Sequence, residues 1–356
     1  MHLIRSGRRG LLRQAAGISL VAASGGLGLS ACATRSREET PSLPHAVSGE
    51  RREIDGRAGR LSYYVDGAGP PLLLIHSINA TGSAFEVQPI YRDLARDHRV
   101  FAPDLPGFGF SDRSNRRYDP ALYTAAVFDM LDAIAADRAD HNEAGDEPID
   151  ALAISLSSEF LARAAAQQPR SFRRLVLVTP TGFDKRSART RGAPGETREM
   201  SWLYSALEGP PWRQGLFDLL VSRRSIRYFL VRTFGSDNVD AELIDYAWKS
   251  AHQPGARHAP YAFVSGALFS TDIRDLYEQL TMPIWVPHGT RGDFKDFSGA
   301  DWALARDNWL FEAFPTGALP HFEMTDVFND ALRGFLADRS GGAQASAPSA
   351  PRSPSP

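Results

Sequence analysis

A single serine stands where a buried apolar run changes into a helical pattern. The run Ile149–Ile154 ends at Ser155, and helical spacing continues from Leu156 to about Gln168. A strand that turns directly into a helix leaves its turn residue at the tip of the sheet, where the first N–H groups of the helix also point. The pattern predicts that Ser155 is a nucleophile. The alternative is a buried strand that ends in a helix-capping serine.

Strand and helix patterns alternate on both sides of this serine. Arg52–Ile54 and Leu61–Val65 alternate in polarity, which predicts exposed antiparallel strands with a turn at Asp55-Gly56. After them, continuous apolar runs alternate with helical patterns, and this order predicts a mostly parallel sheet with helices on both faces. The strands of that part are expected at Pro71–Ile75, Val100–Ala102, Ile149–Ile154, Arg174–Val178, Pro283–Pro287 and Trp309–Phe314.

The ends of these strands gather candidate residues on one edge of the sheet. Parallel sheets carry their active loops at the carboxyl ends of the strands, which here bear His76, Asp104, Ser155 and Thr179. Between residues 183 and 276 the alternation stops, and the segment is helical and rich in arginine and aromatic residues. It is too long for a simple loop, so it predicts an inserted helical lid.

Composition excludes several classes of function. A net charge of -2, with basic and acidic residues mixed, provides no basic stripe for nucleic acid. The histidines show no metal-ligand spacing, and Cys32 is the single cysteine, so neither a metal ion nor another cofactor is expected. The Gly107-Phe108-Gly109 stretch lacks the full spacing of a dinucleotide-binding loop.

Two further motifs carry a family resemblance. Asp104–Ser111 matches the pattern D-x-P-G-x-G-x-S, and Pro320-His321-Phe322 with the helix Phe328–Leu336 is similar to a catalytic-histidine loop and closing helix. With the chain order Ser, Asp, His, residues 51–339 resemble the α/β-hydrolase superfamily. The resemblance implies an α/β-hydrolase fold: a mostly parallel sheet with helices on both faces and an inserted helical lid.

The resemblance also implies the other members of a catalytic triad. A serine hydroxyl needs a base to remove its proton, and His321 lies in the family's histidine loop after the last strand. Asp293 follows the preceding strand, where the family carries the acid that orients the histidine. Asp296 is the alternative acid. Each aspartate could instead cap its loop, and His321 could be a surface-loop residue.

An oxyanion hole completes the implied site. The family builds it from two backbone N–H groups, which correspond to those of Leu156 and Ile78, with Ser77 next. The family's nucleophile turn has the pattern G-x-S-x-G, but this chain has Ala153 and Ser157 in place of the two glycines. Alanine and serine are the next smallest residues, so the turn can form at some strain cost. Further residues that could face the pocket, or serve only structure, are His76, Asn79 and Glu86.

These residues predict a serine hydrolase that forms an acyl-enzyme with a small carboxylic ester. The same triad could hydrolyse carbon–carbon bonds, thioesters or amides, or carry out perhydrolysis, whereas an aspartate nucleophile is disfavoured. A function of another class also stays open: a non-catalytic surface lipoprotein that uses the fold as a binding module. The lid residues that suggest an apolar acyl or aromatic substrate are Trp202, Tyr204, Trp212, Phe217 and Tyr228.

The N-terminus resembles a bacterial lipoprotein signal peptide. A basic start and a weakly apolar segment lead to Leu29-Ser30-Ala31-Cys32, which is similar to a lipobox whose cysteine is lipidated; an ordinary secretory signal is the alternative. Arg8-Arg9 also resembles a twin-arginine export signal. We therefore expect an exported protein anchored to a lipid bilayer through Cys32, facing the periplasm or the cell surface, with Ala33 favouring the outer membrane.

The predicted organisation has six parts, and the sequence does not indicate an oligomeric state. In chain order, they are a signal peptide (1–31), a flexible tether (32–50), the first part of the core (51–182), the lid (183–276), the second part of the core (277–339) and a disordered tail (340–356).

Overall fold

Eight strands form a single sheet in which the strand before Ser155 is central. The computed structural model describes residues 40–141, 147–209 and 211–337. The strands are β1 (Glu50–Gly56), β2 (Gly59–Asp66), β3 (Pro71–Ile75), β4 (Arg99–Pro103), β5 (Ile149–Ile154), β6 (Phe172–Val178), β7 (Ile284–Gly289) and β8 (Trp309–Phe314). Their order across the sheet is β1-β2-β4-β3-β5-β6-β7-β8.

The pairing of the strands follows the polarity of their sequences. β1 and β2 pair antiparallel, as do β2 and β4, and every other neighbouring pair is parallel. β3 and β5 are buried along their whole length, as a strand covered on both faces must be. The prediction of a mostly parallel sheet with an antiparallel beginning is therefore confirmed.

Helices cover both faces of this sheet and form the inserted segment. A short 3-10 turn, Ala84–Val87, precedes the first of them. The helices are α1 (Gln88–Leu94), α2 (Pro120–Asp140), α3 (Ser157–Gln167), α4 (Ser201–Leu207), α5 (Arg213–Leu220), α6 (Arg223–Phe234), α7 (Ala241–Ala251), α8 (His258–Val264), α9 (Ile273–Gln279), α10 (Asp301–Leu304), α11 (Pro320–Glu323) and α12 (Thr325–Ala337). Within the described ranges, no helix has both the length and the apolarity needed to cross a bilayer.

Alternate residues of β5 point into two separate hydrophobic clusters. Ala151 and Ala153 pack into the cluster formed with α2 and α3, while Leu152 and Ile154 pack into the cluster formed with α1 and α12. This alternation is the two-residue period of a strand buried on both faces. Ser155 therefore leaves the sheet between two packed layers, which fixes the position of its backbone.

The inserted segment exposes most of the aromatic residues that suggested an apolar substrate. Trp202, Trp212 and Tyr228 are 71%, 57% and 48% exposed, whereas Phe217 is buried under α7 and α8 and Tyr204 is partly buried. The aromatic content of this segment therefore does not by itself indicate an enclosed apolar pocket.

Part of the segment predicted as a flexible tether, residues 41–47, packs against the folded body. Ala46 and Val47 are buried, and the Ala46 N–H donates to the Tyr64 hydroxyl at 3.1 Å. The Tyr246 hydroxyl donates to the Pro44 carbonyl, and the Gln253 amide to the Pro41 carbonyl. The predicted signal peptide, Cys32 and the predicted tail lie outside the described residues.

A buried ion pair fastens α3 to the residues just before α9. The Arg163 guanidinium donates to both carboxylate oxygens of Asp272, at 2.7 and 3.1 Å, and to the Ser270 hydroxyl. Because removal of one partner leaves the other charge buried, we expect Asp272→Ala to lower the free energy of unfolding by about 3–5 kcal/mol, measured by urea denaturation. Arg117→Ala, which breaks an exposed pair with Asp119, should cost less than about 1 kcal/mol. Equal losses in the two variants would contradict this assignment.

Candidate active site

Ser155 adopts the left-handed backbone conformation of a tight strand-to-helix turn. Its φ is +54°, and its N–H donates to the Val178 carbonyl of β6 at 2.8 Å. The Ser158 N–H in turn donates to the Ser155 carbonyl, which begins α3. A non-glycine residue in this conformation costs on the order of 1–3 kcal/mol and persists only where the surrounding structure holds it. The side chain is partly buried at the carboxyl edge of the sheet.

Small residues allow this turn to pack closely. Ala153 and Ser157 are fully buried, and the Ser157 hydroxyl donates to the His76 carbonyl at 2.6 Å. The Ser158 hydroxyl donates to the Ala153 carbonyl. Ser157 thus joins the start of α3 to the loop after β3, a contact that a glycine at this position would not make.

Among the described residues, no acceptor is found for the backbone N–H groups of one residue at the start of α3 and one in the loop after β3, which the Ser157–His76 bond joins. They belong to Leu156 and Ile78, which are both buried and pack into the same hydrophobic cluster. The Ser77 N–H differs, because it donates to Glu86 Oε2 at 2.8 Å. Buried N–H groups are nearly always paired, so two unpaired ones are available to bind an oxyanion.

His76 and Asn79 hold the loop after β3. The Nδ1–H of His76 donates to the Ser77 carbonyl at 2.6 Å, and its Nε2 accepts the Leu105 N–H at 2.9 Å. Burial lowers the pKa of His76 to about 4, so the ring is neutral at pH 7. The Asn79 amide donates to Glu86 Oε1 and to the Ser77 hydroxyl, each at 2.8 Å.

His321 lies in the short helix α11 rather than in the predicted loop, because Pro320 begins that helix. Its ring is completely buried, between 5 and 6 Å from the rings of Phe322 and Phe328. The Nε2–H donates to the Glu86 carbonyl at 2.8 Å, and Nδ1 has no hydrogen-bond partner among the described residues. Burial lowers the pKa of His321 to about 4, which leaves a neutral ring with a free lone pair on Nδ1.

The two candidate acids are not hydrogen-bonded to His321. The Asp293 side chain is 43% exposed, and its carboxylate pairs with Arg232 Nε at 2.5 Å. The Asp296 carboxylate accepts hydrogen bonds from the N–H and the hydroxyl of Ser298, so Asp296 caps the loop in which it lies. The structure therefore does not join Ser155, His321 and an aspartate into a hydrogen-bonded triad.

Two further residues contribute contacts around this site: Thr179, which the sequence placed at a strand end without a role, and Arg232, which the sequence did not single out. Thr179, at the end of β6, has a φ of +45°, and its hydroxyl donates to the Ala318 carbonyl at 2.8 Å. The histidine loop thus reaches the strand next to Ser155 through Ala318, three residues before His321. Arg232 is the other, and it lies 61 residues from its partner Asp293. Local sequence carries no signal for either contact.

The described chain contains no group of three or more His, Cys, Asp or Glu side chains that could hold a metal ion. A covalent site built on Ser155 needs none, because serine, base and oxyanion donors are sufficient for acyl transfer.

Comparison with known proteins shows that this chain shares its fold with hydrolases and is similar in sequence to some of them. A family model described as alpha/beta hydrolase fold matches residues 70–218. The 2-hydroxymuconate semialdehyde hydrolase of Pseudomonas sp. is 31% identical over 37% of this chain and 44% of its own length. The 2-hydroxy-6-oxo-2,4-heptadienoate hydrolase of Pseudomonas putida is 32% identical over 54% of this chain and 59% of its own. Carboxylesterase CesB of Bacillus subtilis superposes with a TM-score of 0.59 at 16% identity, covering 82% and 92% of the two chains.

Proposed function

Because this chain belongs to the α/β-hydrolase superfamily, we propose that it is a serine hydrolase that cleaves small carboxylic esters with Ser155 as the nucleophile. The observation that carries the proposal is the strained backbone of Ser155 beside two unpaired N–H groups, those of Leu156 and Ile78. Strain of this kind is typical of residues that a fold holds in place for chemistry. Unpaired N–H groups next to a nucleophile are what a tetrahedral oxyanion requires.

The base in this proposal is His321. Its neutral ring presents a lone pair on Nδ1, while the Glu86 carbonyl fixes the tautomer by accepting the Nε2–H. When the two side chains meet, the Ser155 proton passes to Nδ1 as Oγ bonds to the ester carbonyl carbon. The protonated ring then gives that proton to the leaving alcohol, and a water molecule repeats the cycle to release the acid. Catalytic hydrogen bonds often form only when substrate binds, so we expect the Ser155 hydroxyl and His321 Nδ1 to come within hydrogen-bond distance in the complex.

The orienting group in this proposal is the Glu86 carbonyl rather than Asp293. A carbonyl that accepts one ring N–H sets the tautomer of a histidine, as a carboxylate does. Asp293 is half exposed and already paired with Arg232, so its charge is compensated at the surface.

Carbon–carbon bond hydrolysis is the alternative reaction of the same site. The two Pseudomonas relatives are named for 2-hydroxymuconate semialdehyde and 2-hydroxy-6-oxo-2,4-heptadienoate rather than for esters. The alternative predicts turnover of 2-hydroxy-6-oxo-dienoates and little turnover of p-nitrophenyl esters. Both substrate types belong in one panel, assayed with the same enzyme preparation.

A non-catalytic binding function is the second candidate, and one observation favours it. His321 is fully buried and shares no hydrogen bond with Ser155. The experiment that separates the candidates is fluorophosphonate labelling of the purified protein, read by intact mass. One covalent adduct per chain supports the hydrolase. No adduct, together with no turnover on the panel, supports the binding function.

We further propose that the protein is exported and anchored to a membrane through Cys32. The lipobox-like sequence supports the proposal, since lipidation at that position requires a cysteine directly after the cleavage site. Several acyl chains would hold it stably, whereas a single chain binds a bilayer only marginally. Metabolic labelling with a fatty-acid analogue should mark the wild type but not Cys32→Ala. Equal labelling of the two would contradict the anchor.

A further inference from the structure

Glu86 connects the two halves of the proposed site. Its carboxylate accepts the Ser77 N–H through Oε2 and the Asn79 amide through Oε1, both at 2.8 Å. Its carbonyl accepts the His321 Nε2–H at 2.8 Å. The side chain is buried in the 3-10 turn that follows the loop after β3. One residue therefore holds both the oxyanion loop and the proposed base.

We propose that Glu86 is a positioning residue whose carboxyl group occupies the Ser77 N–H, confines the substrate oxyanion to the Ile78 and Leu156 N–H groups, and supports hydrolysis only in its protonated form. The inference rests on the proposed serine-hydrolase function. The Ser77 N–H is engaged, so it cannot serve the oxyanion, and Ile78 is the next donor along the same loop.

The charge of the Glu86 carboxyl group determines how strongly the Ile78 and Leu156 N–H groups stabilise the substrate oxyanion. An ionised carboxylate bound to Ser77 lies one residue from the proposed donor Ile78, where negative charge develops during attack. Like charges in a buried site repel strongly, so ionised Glu86 disfavours the oxyanion. A neutral carboxylic acid keeps the Ser77 bond through its carbonyl oxygen and removes the repulsion. Burial raises the pKa of Glu86 to about 7, and the bonds from Ser77 and Asn79 offset part of that rise.

Several titratable groups face the turn that carries Glu86. His76 at the end of β3 and His321 of α11 are both neutral, since burial lowers the pKa of each to about 4. Tyr246 of α7 stacks on Phe85, and burial raises the pKa of its phenol far above neutrality, as it does for Tyr91 of α1. These four groups keep one protonation state between pH 5 and 9.

Asp104, which follows β4, is a neighbouring buried carboxyl group whose titration could produce the same pH dependence as that of Glu86. It accepts the N–H groups of Ala84 and Phe110, each at 3.0 Å, and burial raises its pKa. Its bonds go to backbone groups outside the oxyanion loop. Asp104→Asn is therefore the matched control for a neutral substitution at Glu86.

The test compares the pH dependence of kcat/KM for the wild type, Glu86→Gln and Asp104→Asn on a p-nitrophenyl ester, with the Ser155→Ala rate subtracted. We expect the wild type to lose about tenfold per pH unit above about pH 7, because only the protonated form of Glu86 supports hydrolysis. Glu86→Gln carries no charge at any pH and keeps an amide oxygen that can accept the Ser77 N–H, so its kcat/KM should remain flat to pH 9, whereas Asp104→Asn should keep the alkaline decline. A decline that persists in Glu86→Gln overturns the proposal.

Thermal unfolding provides a readout that does not depend on activity. A carboxyl with a raised pKa binds more protons in the folded state, so stability falls as pH rises from the unfolded pKa towards the folded one and then levels off. The Tm of the wild type should therefore fall between about pH 5 and 7 relative to that of Glu86→Gln. Parallel Tm curves would overturn the proposal even if the protein proved not to be a hydrolase. Absence of any Ser155-dependent turnover would instead defeat the proposed function.

Discussion

Replacement of Ser155 by alanine is expected to lower kcat for ester hydrolysis by about 10⁶-fold and to abolish fluorophosphonate labelling. The hydroxyl is the group that would bond to the substrate carbonyl, whereas the neighbouring hydroxyls of Ser157 and Ser158 are buried and donate to backbone carbonyls. Alanine and serine tolerate the φ of +54° about equally, so the Tm should change little. The measurements are steady-state kinetics on p-nitrophenyl esters, intact mass after labelling, and thermal unfolding.

Ser158→Ala is the matched control for this variant. Ser158 is another buried serine of the same turn, and its hydroxyl donates to the Ala153 carbonyl at 3.3 Å. Loss of that bond should cost about 1 kcal/mol of stability and leave labelling intact. If Ser155→Ala were still labelled, or if Ser158→Ala lost its label with an unchanged Tm, the nucleophile would have to be sought elsewhere.

The sheet could be predicted from the sequence because its signals are local. β3, β5 and β8 begin and end where their apolar or alternating runs do, since a strand's polarity pattern directly reflects what covers its faces. The order of runs then leaves few topologies for a parallel sheet. The turn at Ser155 was visible for the same reason: it is the junction of two adjacent patterns.

The assembly of the site could not be predicted, because it depends on contacts between distant residues. Nothing near Asp293 indicates that Arg232 of α6 will bind its carboxylate. Nothing near His321 indicates that the Glu86 carbonyl, 235 residues away, will accept its ring N–H. A motif places a residue on the correct loop, whereas the direction of its side chain depends on which partners the rest of the fold brings to it.

The buried tether illustrates the same limit at the surface. Residues 34–50 are polar on average, and the sequence therefore predicted a flexible segment. Yet Ala46 and Val47 fit against Tyr64 and α7, and two carbonyls of the segment accept bonds from side chains near the end of α7. A few small apolar residues are enough to order a segment when a complementary surface exists, and composition does not reveal that surface.

A contrast between two variants tests how the proposed base is held. We expect His321→Asn to lower kcat by several orders of magnitude, since removing the base of a serine triad costs about as much as removing the nucleophile. Asp293→Asn should lower kcat/KM less than about tenfold, because its carboxylate is half exposed and its partner is Arg232. A true triad acid would cost about 10⁴. Steady-state kinetics at pH 6, with the Tm of each variant, measures both.

The pH dependence of the wild type gives this contrast a second readout. His321 must be neutral to accept the serine proton, and its pKa is lowered to about 4, so kcat/KM should fall on the acid side only below about pH 4. An acid limb near pH 6.5 would mean that the working histidine is not buried as His321 is. A loss of about 10⁴ in Asp293→Asn at unchanged Tm would mean that its bond to Arg232 breaks in the active enzyme and that Asp293, not the Glu86 carbonyl, orients the base. Full activity in His321→Asn would remove His321 from the chemistry and leave Ser155 dependent on another base.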